Sequence, residues 1–376
     1  MRTAIGILCI ALAGVMVWRT GAPAANATEF ETSAGTVTVE RMAGPFEHAW
    51  AVTFLADDGL LVTERGGTLW HIGADGARQQ VGGMPAITVG GQGGLLDVVA
   101  ARDFAETREI FLTYAAPDGS RTRTTLTAAR LSADGARLTD LRVLFAQDPA
   151  VSSGFHFGSR VVEAPDGTLF VTVGDRGTPR YAQDDAATIG KVMRVTRAGT
   201  VPADNPFATE DGPRAQIWSL GHRNPQGAGL DGEGRLWTVE HGARGGDEIN
   251  RPQPGLNYGW PRISYGTHYS GAPHPGSAEA GLEQPVHYWD PSIAPSGLMI
   301  YSGALWPAWA GDIFVGALKS RFLSRLDREG DSVVGEERLF DDAFGRVRDV
   351  REGPGGAIWF LTDAGEGALY RMVPAD

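Results

Sequence analysis

One pattern recurs six times along this chain of 376 residues and limits what it can fold into. A turn rich in Asp and Gly leads into a short apolar run: DDGLLVT from Asp57, REIFLTY from Arg108 and PDGTLFVTVG from Pro165. The same device returns as DGEGRLWTVE from Asp231, AGDIFVGAL from Ala310 and GPGGAIWFLTD from Gly353. Several copies turn again into a second run, as in ERGGTLWHI, KSRFLSRLD and GEGALYRMV. Short β-rich runs between Gly/Asp turns, without sustained helical periodicity, predict an all-β chain. Six such units over about 340 residues match the blade period of a six-bladed β-propeller with long loops in its middle. A β-sandwich or a two-domain β protein is the alternative. No Pro/Ser linker or charge block marks a boundary, so residues 28–376 are expected to form one propeller domain.

Charge narrows the partners. With 33 basic and 45 acidic side chains the net charge is −12, which argues against nucleic acid or an anionic membrane. Lysine is nearly absent, at Lys191 and Lys319 only, so the places of these two matter. Residues 1–27 read as an export signal: Arg2, an apolar run from Ala4 to Trp18, and Ala25-Asn26-Ala27 as a small-x-small cleavage site. The run is short of the roughly 20 residues of a membrane span, and an uncleaved anchor is the alternative. The single cysteine, Cys9, lies in this segment without a lipobox, so the exported chain would carry no thiol or disulfide. Export without disulfides suits a periplasmic or secreted protein.

Polar groups, glycines and aromatics are densest between Gly221 and Trp260, which reads as a ligand-holding loop region presenting Arg223, Asn224, His241, Asp247 and Glu248. Other candidates fall in loops that a propeller would gather at one end of its channel. They are Gln92 within a glycine cluster, His156 just before a strand Arg160–Ala164, Pro295-Ser296-Gly297, Lys319, and the alternating Arg346 and Arg348. Three or four cations at one mouth of an acidic protein suggest an anionic ligand with several carboxylates. Each candidate has a plainer role. His156 can be a structural hydrogen-bonding residue, and Arg346 and Arg348 can pair with Asp341, Asp342 or Asp349 on a solvated face. Asp247-Glu248 offers the hard oxygens that calcium prefers, but the spacing fits no EF-hand. The histidines at 48, 71, 268, 274 and 287 read as structural.

These residues carry a resemblance. The segments GQGGLLDV, HFGSR, FVTVGDRG, GKVMRVTRAGTVPADNPF, GHRNPQG, EHGARGGDEIN, NYGWP, GALK and RVRDVREGP follow in order between Gly91 and Pro354, within a resemblance that spans nearly all of the chain past the first 40 residues. In them the chain resembles the soluble sugar dehydrogenases that use pyrroloquinoline quinone (PQQ), most closely their aldose sugar dehydrogenase branch. The resemblance implies a six-bladed propeller that oxidises aldoses at C1 to lactones and passes electrons to an external cytochrome or quinone, as a monomer or homodimer. It implies His156 as the general base for the anomeric hydroxyl and Arg223 beside the quinone carbonyl. Gln92 and Asn224 would be polar contacts to cofactor and substrate, and Lys319, Arg346 and Arg348 would hold the cofactor's carboxylates. Backbone carbonyls of Gly242 and Ala243 would ligate a Ca2+ that touches the quinone. Glu248 through its carboxylate and Tyr258 through its backbone oxygen would hold a second, structural Ca2+. Lys191 lies in a matching segment without a role.

Departures from the family pattern point away from strict glucose specificity. Phe155 stands where glucose-specific relatives carry Asp, Ala243 where Pro is frequent, and Asp290 and Ser292 where an aromatic and a threonine occur. Two other functions are compatible with a propeller: a calcium-dependent lactonase, which would need no converging cations, and a non-catalytic binding module, which would need no His156, Gln92 and Arg223 at one mouth.

Overall fold

The computed structural model describes residues 27–375, so Cys9 and nearly all of the segment expected to be an export signal lie outside the described residues. The chain forms six antiparallel sheets in sequence order. Their strands fall within residues 49–80, 95–146, 161–220, 225–289 and 295–339, and the sixth sheet combines 347–374 with the N-terminal 27–46. First strands of neighbouring sheets touch around the ring, and that of the sixth touches that of the first. The architecture is a six-bladed β-propeller, as the repeats predict. Each of the six apolar runs read from sequence is the second strand of a blade: Leu60–Glu64, Glu109–Asp118, Thr168–Val173, Leu236–Glu240, Ile313–Ala317 and Ile358–Thr362.

These strands read as nearly unbroken apolar runs because both of their faces are buried. Neighbouring side chains on a strand point to opposite faces, so each strand feeds two interfaces between blades. In blade 1, Leu61 packs toward blade 2 while Leu60 and Val62 pack toward blade 6. In blade 5, Ile313 and Val315 face blade 4 and Phe314 faces blade 6. The core is thus six apolar clusters, one between each pair of adjacent blades.

The two ends of the chain close the ring. Gly35–Phe46 pairs with Gly367–Pro374, with Val37 opposite Pro374 and Phe46 opposite Gly367. Ala27–Thr32 adds a fifth strand outside it. Along the axis, Arg160 and Arg351 bridge Asp97 and Asp349 from the first strands of blades 2 and 6, and both aspartates are fully buried. The loops between blades and those between second and third strands gather at one end of the ring, which forms its mouth.

Candidate active site

At this mouth, the connection from blade 2 to blade 3 carries His156. Its Nδ1 lies 2.6 Å from Oδ1 of Asp175, which begins the loop after the second strand of blade 3. Asp175 is buried, and its carboxylate also accepts from the Gly177 N–H at 2.7 Å and from the Trp260 indole N–H at 2.8 Å. An ionised carboxylate fixed by two donors selects the tautomer with hydrogen on Nδ1, leaving the Nε2 lone pair for another proton. The backbone is equally constrained. His156 sits at φ 51°, its N–H donates to Gln92 Oε1 at 2.8 Å, and a Cβ at Gly174 would lie 2.2 Å from its carbonyl oxygen. Arg176 ties the same connection down by donating to the carbonyls of Ser153 and Phe155 and to Gln147 and Thr122. The strand that follows is Val161–Glu163, shorter than the expected 160–164.

Arg223 and Asn224 come from the next connection. The Arg223 carbonyl accepts from the Asp175 N–H at 2.7 Å, which couples this connection to the histidine's carboxylate. Its guanidinium stands 5.3 Å from the Trp260 ring, bonds the carbonyls of His241 and Gly242, and approaches the Tyr269 hydroxyl at 3.3 Å. Asn224 Oδ1 accepts from Gly158 N–H. Between these groups lies His241, whose Nε2 bonds the Pro295 carbonyl at 2.6 Å. Burial, then the charges of Arg223, His156 and Arg348, push its pKa down to about 3, so it stays neutral. One imidazole therefore feels three of the expected site residues at once.

Arg346, just before the strand Val347–Glu352, and Arg348, on it, reach the same carboxylate, but that partner is Asp363 rather than Asp341, Asp342 or Asp349. His48 Nδ1 reaches the same carboxylate at 2.8 Å, so this histidine lines the mouth. Burial raises the Asp363 pKa, but Arg348, His48 and Arg346 outweigh it and hold the carboxyl well below the usual range. Arg348 also donates to Gln226 Oε1 at 2.9 Å, and its Nε is buried without a partner. Arg346 donates to the Leu318 carbonyl, beside Lys319, whose exposed ammonium has no ion pair among the described residues.

The region between Gly221 and Trp260, read as loop, contains a strand, Asp247–Asn250, paired with Leu236–Glu240. Its acidic composition hid it, because Asp, Glu and Asn are poor strand formers. The Asp247 carboxylate is occupied within the protein: it accepts from Gly242 N–H, Ser292 Oγ, Ile293 N–H and Ala294 N–H. Glu248 lies opposite Glu240 in the register. Both carboxylates, with Gly242, Tyr258 and Arg223, line a cavity of about 10 Å³, room for one water-sized occupant. Burial and then Glu240 push the Glu248 pKa up to about 8. Asn250 Oδ1 is buried beside them without a partner, and the Tyr258 carbonyl accepts no hydrogen bond among the described residues. The Gly242 carbonyl accepts from Arg223, and Ala243 is not among the residues lining this cavity.

Asp175 and Trp260 were missed from sequence, although both fall in segments that carry the resemblance. The signal was positional. Four second strands run into an acid at the mouth, namely Glu64, Asp175, Glu240 and Asp363. Three of those acids hold a histidine from a connection between blades: Asp175 holds His156, Glu240 holds His222 at 2.8 Å and Asp363 holds His48.

Comparison with known proteins agrees with this geometry. The family model described as glucose/sorbosone dehydrogenase matches residues 46–371. The chain is 44% identical over 346 residues to aldose sugar dehydrogenase YliI of Escherichia coli (strain K12), covering 90% of this chain and 93% of that one. The crystal structure of the soluble aldose sugar dehydrogenase from Escherichia coli in its apo-form superposes with a TM-score of 0.87 at 43% identity, covering 90% of this chain and 100% of that chain. The PQQ-bound form of aldose sugar dehydrogenase from Streptomyces coelicolor is alike in fold, with a TM-score of 0.76 at 24% identity over 92% and 99% of the two chains. This chain is a member of the glucose/sorbosone dehydrogenase family.

Proposed function

We propose that this sugar dehydrogenase oxidises aldoses at C1 to lactones with PQQ and Ca2+ and passes the electrons to a separate acceptor outside the cytoplasm. The observation that carries the reading is the His156–Asp175 pair, with His156, Arg223 and Arg348 all close enough to act on the one imidazole of His241. The Escherichia coli and Streptomyces coelicolor relatives, named as aldose sugar dehydrogenases, support the substrate class, and the latter's PQQ-bound form supports the cofactor.

The residues fit both groups. Arg223 Nε and Arg348 Nε are buried donors without partners, and Lys319 is an unpaired cation, which suits an anion with several carboxylates. Arg348, Arg346 and Lys319 would hold those carboxylates, and Gln92, Arg223 and Asn224 would contact the cofactor and substrate. Glu248 shares its cavity with a second carboxylate and an orphaned amide oxygen, an oxygen set that suits a calcium ion. The free Tyr258 carbonyl belongs to that set, and the carbonyls of Gly242 and Ala243 would serve the calcium nearer the quinone.

When bound, the quinone supplies the acceptor for hydride from C1, and calcium supplies a Lewis acid beside its carbonyl. His156 Nε2 takes the anomeric hydroxyl proton. Asp175 keeps the imidazole in the receptive tautomer and balances the imidazolium that results. Arg223 places a fixed positive charge where negative charge grows on oxygen. The lactonase reading is weaker because the axial acids Asp97 and Asp349 are committed to Arg160 and Arg351.

The test is to add PQQ and Ca2+ to the purified apoprotein and follow dye reduction with several aldoses. Lactone hydrolysis without dye reduction would favour the lactonase, and silence in both assays a binding module. Two further results are expected. Arg348→Ala raises the PQQ concentration needed for half activity roughly 10–100-fold, the worth of one charged hydrogen bond, with kcat at saturation little changed. An unchanged requirement removes Arg348 from the clamp. Saturating Ca2+ raises the melting temperature by on the order of 4 °C. In Glu248→Gln that rise is smaller, and a rise of equal size there would place the structural ion elsewhere.

A further inference from the structure

Lys191, which opens the third strand of blade 3, has no part in the chemistry above. It is fully buried, and its ammonium donates to three backbone carbonyls: Tyr181 at 2.6 Å, Ile189 at 3.0 Å and Ala182 at 3.4 Å. Asp185 and Asp184 act on it only from beyond ion-pair distance, and burial pushes its pKa down to about 8. An ammonium held by carbonyl dipoles alone is costly to bury, and an apolar side chain of its length would cost less. Its position has to be explained by what it holds.

It holds the loop of residues 174–190, which carries Asp175 near its start. Residues 181–183 are the pivot. Ala182 O, taken by the ammonium, also accepts from Gly221 N–H, at the start of the connection that carries Arg223. Gln183, the next residue, donates to the Trp260 carbonyl at 2.7 Å and exchanges hydrogen bonds with Asn257. Trp260 is the residue whose indole N–H fixes Asp175 Oδ2. At the loop's other end, Gly190 N–H bonds the Gly174 carbonyl and Gly190 O accepts from His222 N–H. One buried cation thus ties together the segments that orient the carboxylate behind His156.

We propose that Lys191 is a positioning residue for the proton-accepting imidazole: by gathering Tyr181, Ala182 and Ile189 it sets the loop on which Trp260 and Asp175 meet His156. The inference rests on the reading of His156 as the base. A residue that only stabilised the fold would change melting temperature and leave the histidine's hydrogen bond as it was.

The experiment is a proton NMR spectrum of the apoprotein together with steady-state kinetics of the protein supplied with PQQ, Ca2+ and an aldose. A proton in so short a bond between Nδ1 and a carboxylate resonates far downfield, and His156→Gln identifies it by its loss. In Lys191→Met this resonance is expected to shift upfield or broaden away. Turnover at saturation is expected to fall roughly 10–100-fold, the scale of a small misplacement, with KM for the sugar little changed. A folded Lys191→Met with the wild-type resonance and turnover overturns the proposal. If Lys191→Met does not fold, Gln183→Leu cuts the bridge to Trp260 without touching the ammonium. The same spectral change there supports the proposal, and an unchanged spectrum overturns it. A wild-type protein that shows the resonance but reduces no dye with any aldose would sink the proposed function instead, and the spectra alone would then judge the clamp.

Discussion

Turnover of the His156→Gln protein at saturating sugar and PQQ is expected to fall about 10²–10⁴-fold, the usual worth of a positioned general base. The replacement is chosen to disturb little else. Gln92 binds the backbone N–H of residue 156, not its side chain, so that anchor survives. The new amide can donate to Asp175 in place of Nδ1–H, so the buried carboxylate keeps a partner. Only the Nε2 acceptor, which the proposed mechanism directs at the sugar hydroxyl, is lost. PQQ binding should therefore stay near the wild-type value, because its expected partners Lys319, Arg346 and Arg348 come from blades 5 and 6. Cofactor titration separates the two effects. A rate loss that vanishes at higher PQQ would make His156 a cofactor contact, and no loss at all would remove it from the chemistry.

Why this site was partly legible follows from how a propeller stores information. A strand buried on both faces must be apolar at nearly every position, so the runs at Leu60, Leu169, Leu236, Ile313 and Ile358 announce themselves. Loops at the mouth are free of that demand, so His156, Arg223 and Lys319 stand out by type. What stays hidden is pairing across long separations. Nothing local to Arg346 and Arg348 says that Asp363 will bridge them or that His48, at the other end of the chain, will share that carboxylate. The strand at 247–250 is hidden for a different reason. Its charged residues are tolerated because Asp247 is saturated with donors from the next connection, which no propensity can foresee. Asp175 was within reach, since an acid also stands at or just past the end of the second strand in blades 4 and 6, at Glu240 and Asp363.

Asp175→Asn tests that carboxylate directly, and a fall of roughly 10³–10⁴-fold in turnover is expected, as when the acid behind a catalytic histidine is made neutral. The hydrogen bonds show why. All three neighbours of the carboxylate donate to it: Trp260 Nε1–H on one oxygen, Gly177 N–H and His156 Nδ1–H on the other. An amide has one oxygen. If it faces His156 and Gly177, its NH2 meets the indole N–H, two buried donors opposed at a cost of about 1–3 kcal/mol. If it turns, NH2 meets Gly177 N–H, Nδ1 must become an acceptor, and the proton moves to Nε2, where the base should be empty. Neither orientation supplies the negative charge that balances the imidazolium. The double variant Asp175→Asn with Trp260→Phe separates these losses. Removing the indole donor frees the amide to turn its oxygen toward His156 and restores the receptive tautomer. The double variant is therefore expected to be faster than Asp175→Asn alone by about 10-fold, although Trp260→Phe by itself slows the enzyme. Simple addition of the two losses would mean that the tautomer is not what Asp175 controls.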